Sequence, residues 1–598
     1  MLWRNSLPPI LMLSASMVAV WPAVAQQAPE SILPPGFGQP EPANTAAPLP
    51  EDKAGRPGKA EVPEVELRPP ASEGGGDVIG DLIADASNNQ TSAVVEPIDL
   101  PPQARRTLDV VGLLEPEDGG LVAPGFAAHD GRYLATLMRR IQAPIASRWA
   151  SIALRRVLLS PTATPAGING ADWVAERAWL LLRMGEADMA RALIARVDAD
   201  NFTPRLHAVA MQAALATGDP ASVCGVASAA SSISDEPSWP LAQAMCAALS
   251  GESGTATAIV DRARDTGAAR GVDVLLAEKV VGAAINSRRS VTIQWDGVDR
   301  LTAWRFGLAT ATGIVVPSRL FATVGPQARA WQARAPLLAP AQRASAVERA
   351  AVLGVYSSAA LVDFFSGIWD ATDPSERAGT TGELLRSTFT GANDAAKLAA
   401  MRSLWDAKAG GESYARSIMT ARAAAALSAD ASLVAEDLDR VIASMLSAGL
   451  DIQATRWGSA AQSGSLGWAL LAVGAPRPLP GIDASDVANS QSSDGDLRIR
   501  FLIAGLAGLG RLSTDDANQL AERYEVPLGR TSNWTAALDR AASAGDVGSV
   551  VVLSAAGLQT YDWNHVPPAH LYHIVAAMRR VGLEPEARMI AAEALARS

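Results

Sequence analysis

Gly185, Gly218 and Gly251 recur 33 residues apart, and each closes one helical pattern and opens another. The stretches "AWLLLRMGEADMARALIARV", "MQAALATGDPASVCGVASAA" and "AMCAALSGESGTATAIVDRA" align on that glycine without gaps. Apolar or small residues follow it at fixed offsets: Ala190, Leu193, Ile194 and Val197, then Val223, Val226, Ala227 and Ala230, then Ala256, Ile259, Val260 and Ala263. Gly582 repeats the rule with Ala587, Ile590, Ala591 and Ala594. At 3.6 residues per turn these offsets gather on one face of an α-helix. The glycine stands where one helix must stop, at a position that favours left-handed backbone. A chain built this way is predicted to fold as a series of antiparallel helical hairpins.

The pattern resembles the tetratricopeptide-repeat class of α-solenoid, whose helix-turn-helix unit spans about 34 residues. Ala190, Ala256 and Ala587 match the small residue near the start of that family's second helix. The family's first-helix tryptophan, leucine-glycine and tyrosine are not reproduced. The match runs through 172–270 and returns more loosely over 495–598, around Gly510, Gly545 and Gly582. The resemblance implies an all-α superhelical array of stacked hairpins with an extended binding surface. It carries over no catalytic residue.

The N-terminal part reads differently. Arg4, an apolar run from Ile10 to Trp21, and Ala23-Val24-Ala25 have the order of a secretory signal, cleaved after residue 25. The run is too short to span about 30 Å of hydrocarbon at 1.5 Å per residue. No transmembrane segment is therefore expected after cleavage, and the expected location is periplasmic or secreted. Residues 26–105 are rich in Pro, Gly and Glu without apolar periodicity, which predicts a disordered tether. The helical array is expected over 106–472. A polar, proline-bearing break at 473–496 reads as a linker or an ordered loop, and a second set of repeats, ending in a capping hairpin, is expected over 497–598.

Cys224 and Cys246 are the only cysteines. They flank the break "SSISDEPSWP" symmetrically, so on antiparallel helices they lie level, and an exported chain is expected to join them as a disulfide. Catalytic signatures are missing: the sequence holds no GxSxG elbow, HExxH, CxxC or Walker loop, and "GLAGLG" (505–510) has a helical reading. Asp363, Asp370 and Glu383 are the acidic residues a glycan-cleaving reading would nominate, without a motif to select them. Trp173, Trp179, Trp304, Trp405 and Trp457 sit in helical patterns, as core residues or as the lining of a groove.

His565, His570 and His573 cluster in "NHVPPAHLYHIVAAMRR". The apolar stripe of that helix is Leu571, Ile574, Val575 and Met578. His573 falls nearly opposite it, on the side of Arg580, and His570 falls on a flank. A cationic neighbour disfavours a bound metal, so the histidines are expected to be structural, with no metal or cofactor. A net charge of −11 lacks the electrostatic footprint of nucleic-acid binding. Together these features predict an exported, non-catalytic scaffold for a protein or peptide of the cell envelope. The alternative is a carbohydrate-active enzyme on a helical ring, with a glycan as ligand.

Overall fold

A computed structural model describes residues 101–598 apart from 102–103, 122–124, 127–128, 143, 287–290, 408–410 and 491–495. The expected signal sequence (1–25) and residues 26–100 of the expected tether lie outside the described residues. The fold is all-α. Its one described sheet is a two-residue antiparallel bridge, Val110–Val111 with Thr162–Ala163.

The helices of the N-terminal half are α1 (Gly131–Arg140), α2 (Arg148–Leu159), α3 (Gly170–Arg183), α4 (Ala187–Ile194), α5 (Pro204–Ala216), α6 (Cys224–Ser231), α7 (Ser238–Leu249), α8 (Ser253–Asp265) and α9 (Val272–Ala284). Each turn from α3 to α4, α5 to α6 and α7 to α8 closes with the same two hydrogen bonds. At the first, the Gly185 N–H donates to the Leu182 carbonyl (3.0 Å) and the Glu186 N–H to that of Leu181 (2.9 Å). This is the paired closure in which the residue after the helix takes left-handed backbone. Gly185, Gly218 and Gly251 adopt φ of 91°, 63° and 85°. The residues at the repeated offsets are buried against the preceding helix, apart from a half-buried Ile259. Side-chain caps start the helices: Asn169 accepts from the Ala171 N–H and Thr203 from that of Leu206.

From α3 to α9 packing follows chain order. α3 packs on α5, α7 on α9, and the short 3-10 turn Pro220–Val223 links α5 to α7. The Cys224–Cys246 disulfide joins α6 to α7, with Cα atoms 5.5 Å apart. α10 (Ala303–Ala311) then folds back onto both α9 and α5.

Beyond this point packing order departs from chain order. The remaining helices are α11 (Gln327–Arg334), α12 (Pro340–Val352), α13 (Ser358–Ala371), α14 (Thr381–Thr390), α15 (Asp394–Trp405), α16 (Gly411–Ala425), α17 (Ala431–Val434), α18 (Leu438–Ser447), α19 (Asp451–Ala454) and α20 (Leu466–Gly474). They are followed by α21 (Ala484–Ala488), α22 (Asp496–Leu509), α23 (Thr514–Arg523), α24 (Asn533–Ser543), α25 (Val547–Gly557), α26 (Pro568–Arg580) and α27 (Glu584–Arg597). α11 packs on α12, α12 on α16, α16 on α18, α18 on α20, α20 on α27, α27 on α2 and α2 on α3. The Trp331 indole N–H on α11 donates to the Leu182 carbonyl at the end of α3, 3.2 Å away. The sequence of contacts therefore returns to its start as a closed circuit.

One sequence expectation meets a different arrangement. The C-terminal hairpin was expected to cap an array with one exposed face, yet Ala587 to Leu595 of α27 are buried without interruption. The helix is wrapped by α2, α18, α20, α22 and α26, and its internal charges Arg588 and Glu593 are neutralised within the core. The break at 473–496 includes the short helix α21, whose Val487 is buried against α22 and α23. Residues on both sides of this break share one hydrophobic core, which reaches from Val111 to Leu595.

Arginine forks join the helix ends of this core. Arg177 is buried and donates to the carbonyls of Leu158 (2.8 Å), Val111 (2.8 Å) and Ser160 (2.9 Å). Burial pushes its pKa down to about 9. Arg511 reaches the carbonyls of Ala472 and Ala475 in the same way. Helix C-termini leave carbonyls without intrahelical partners, and a planar guanidinium serves several at once.

Candidate binding groove

The buried charges are occupied in holding helices together. Glu593 accepts from Ser147 and Arg597, Glu186 from Arg155, and Glu348 from Arg416. Burial holds the Glu186 carboxyl above its ordinary range, against the opposing pull of Arg155. The Tyr414 phenol is pushed up by burial and by Glu593 beside it. The cavity they adjoin, walled by Trp149, Leu470 and Ala592, has a volume of about 10 Å³. That is room for about one water and excludes a substrate.

A larger concavity lies on the surface at the end of α23. Ser513 caps the helix by accepting from the Asp516 N–H (3.1 Å), and Ala517 and Leu520 bury its inner side. The helix ends with the pair of hydrogen bonds seen at the repeat turns. The Val526 N–H donates to the Ala521 carbonyl (2.8 Å) and the Glu525 N–H to that of Glu522 (3.4 Å). Here the residue in left-handed backbone is Glu525, with φ of 55°, where glycine stands at the other described turns that make both bonds. The other described residue bearing Cβ in this conformation is Asn286, at the end of α9. Left-handed backbone costs a residue bearing Cβ about 1–2 kcal/mol.

The chain then turns through Pro527, Leu528 and Gly529 beside a shallow, open groove of about 460 Å³. Ala521, Val526, Pro527 and Leu528 supply its apolar surface, and its two charged liners, Glu522 and Glu525, are both acidic. The Glu525 side chain is 86% exposed, and its ion-pair distance to Arg500 is 4.0 Å. Behind the turn lies His573, against the backbone of Leu528 and Arg530. The groove was not legible in the sequence. A glutamate at a polar helix end carries no mark of its backbone conformation.

The sequence-nominated residues are placed elsewhere. Glu383 accepts from the Trp369 indole N–H (2.6 Å), while Arg377 and Arg386 lie over that ring at 4.0 and 4.4 Å from its centre. This tryptophan is therefore already engaged by two guanidinium groups and by Glu383. Asp363 and Asp370 are exposed on α13. Trp173, Trp179, Trp304, Trp405 and Trp457 are all in the core and line no surface groove.

The three histidines do not converge. His565 is exposed and bonds Asp562 through Nδ1 (2.7 Å). His570 bonds the Gly557 carbonyl through Nδ1 (3.1 Å) and stacks on Trp534 at 4.5 Å. His573 is buried, not turned to the open side as the helical wheel suggested, because the turn after α23 covers that face of α26. Burial lowers its pKa. Among the described residues no group of three or more His, Cys, Asp or Glu could hold a metal ion. No described helix is long and apolar enough to cross a membrane.

No family model matches the sequence, and no curated protein is significantly similar to it.

Proposed function

We propose that this chain is an exported helical-repeat scaffold, related in design to the tetratricopeptide-repeat solenoids, that binds a protein or peptide partner of the cell envelope without catalysis. The observation that carries the reading is Glu525. A strained residue that glycine would replace more cheaply, on the rim of the open groove, points to a use for its side chain. The apolar floor and the two lining carboxylates, Glu522 and Glu525, suit an extended segment carrying an apolar residue next to lysine or arginine. The disulfide supports an oxidising compartment, and hence the export that the N-terminal sequence predicts.

Selection from a displayed peptide library tests this. Peptides pairing basic and apolar residues should be retained by the native protein and lost by the Glu522→Lys/Glu525→Lys variant. Selected peptides that bind both proteins equally would place recognition elsewhere. Cleavage of soluble glycans or peptidoglycan by the purified protein would favour the enzyme reading instead.

A further inference from the structure

The first turn of α2 is completed by residues far away in the chain. Ser147, its N-cap, donates its hydroxyl to Glu593 (2.6 Å), and the N–H groups of Arg148 (2.9 Å) and Trp149 (3.2 Å) donate to the same carboxylate. The partners are 444 to 446 residues apart. A carboxylate at a helix N-terminus satisfies donors that have no intrahelical acceptor and opposes the positive end of the helix dipole. Arg597 donates to Glu593 Oε1, the oxygen that also accepts from the Arg148 N–H, and to the Ala146 carbonyl (2.6 and 2.9 Å). Arg156 pairs with Glu586 one turn from the other end of α2.

The same first turn also reaches the middle of the chain. The buried Arg148 guanidinium donates to the carbonyls of Ala351 (2.9 Å), Ser447 (3.2 Å) and Tyr356 (3.2 Å), at the ends of α12 and α18 and before α13. Burial lowers its pKa, and Tyr414 and Glu593 beside it oppose that shift. Without α27, three donors at the head of α2 lose their acceptor, and a buried cation loses its neighbouring anion. α20, buried along Gly467–Gly474, would lose a flank as well. The hairpins from α3 to α9 pack chiefly on one another and on α2 and α10, with Trp331 and Arg334 of α11 reaching the α3–α4 hairpin, and have no extensive packing on α27.

We infer that α27 is the keystone of the fold: the α3–α9 hairpins form on their own contacts, and α2 and α20 reach native packing only when residues 584–597 dock between them. Local contacts form early and distant pairings late, because loop closure must precede the contacts that reward it. Under the export reading, which this inference does not need, the chain would stay open for translocation until residues 584–597 are made.

Pulse-labelled hydrogen exchange during refolding of the full chain, with its disulfide intact, tests the order. Amides at the head of α2 and in α20 should gain protection in the same phase as α27, after those of α3, α5 and α7. Protection of α2 and α20 ahead of α27 would overturn the inference. In the folded Glu593→Ala chain, exchange at Arg148 and Trp149 should rise about tenfold or more, with that of α7 unchanged. An unchanged rate at Arg148 and Trp149 contradicts the inference. If that variant does not fold, Glu593→Gln, which keeps the acceptor oxygen and loses the charge, should show a smaller rise at the same two amides. Neither measurement depends on what the groove binds.

Discussion

At residue scale the molecule turns on a few positions where backbone conformation and packing coincide. Gly185 adopts φ of 91°, and a Cβ there would lie 2.5 Å from the Ala330 methyl group on α11. Gly185→Ala should therefore lose about 2–4 kcal/mol in urea unfolding, from strained backbone plus overpacking. Gly251, at φ of 85° with open space around it, has only the backbone contribution. Gly251→Ala should lose about 1–2 kcal/mol. Equal losses at the two sites would show that α11 does not press on the first turn. The buried histidines His207 and His573 both have lowered pKa values, chiefly from burial. Their unfolded forms take up protons at higher pH than the folded forms. The stability they contribute is present above an unfolded value of about 6.5 and is lost as pH falls through and below it. His573 faces Asp539, His570 and the backbone of Leu528 and Arg530, whose side chain is exposed. Urea unfolding at pH 7.5 and 5.5 should show a drop that His207→Phe/His573→Gln reduces. An identical drop in the variant would assign it to the carboxylates.

At element scale the unit is the glycine-closed hairpin, and it recurs more widely than its period. Gly313, Gly354, Gly449, Gly510, Gly545 and Gly582 close their turns with the same hydrogen bonds as Gly185. Their spacing is irregular, because helices of unequal length and short 3-10 turns lie between them. The first three hairpins were legible because their turn glycines keep one spacing, although the helices between them run from 8 to 14 residues. The disulfide was legible because residues equidistant from a turn lie level on antiparallel helices. α6 is the element that most needs it, with eight residues of which only Val226, Ala227 and Ala230 are buried. Reduction should lower stability by about 3 kcal/mol, the entropy of the released loop. Hydrogen exchange in α6 should rise more than in α3. Exchange that rises equally in both would mean that the bridge supports the whole array.

At the scale of the whole molecule, closure was hidden from sequence reading. Ser147 and Glu593 look like an ordinary cap and an ordinary helix glutamate, and no local pattern joins residues so far apart. Periodicity led to an extended array with a capping end, while the structure closes into a circuit with α27 inside. Such closure occupies the buried charges, so the proposed binding falls to the surface, where Glu525 is held in a conformation that costs stability. Glu525→Gly separates the two contributions. Stability in urea and affinity for a library-selected basic-apolar peptide should be measured on this variant beside the native protein. The account predicts unchanged or higher stability, by up to about 1 kcal/mol, together with peptide binding weakened tenfold or more. Lower stability with peptide affinity intact would contradict it, making Glu525 part of the framework and the groove no binding site.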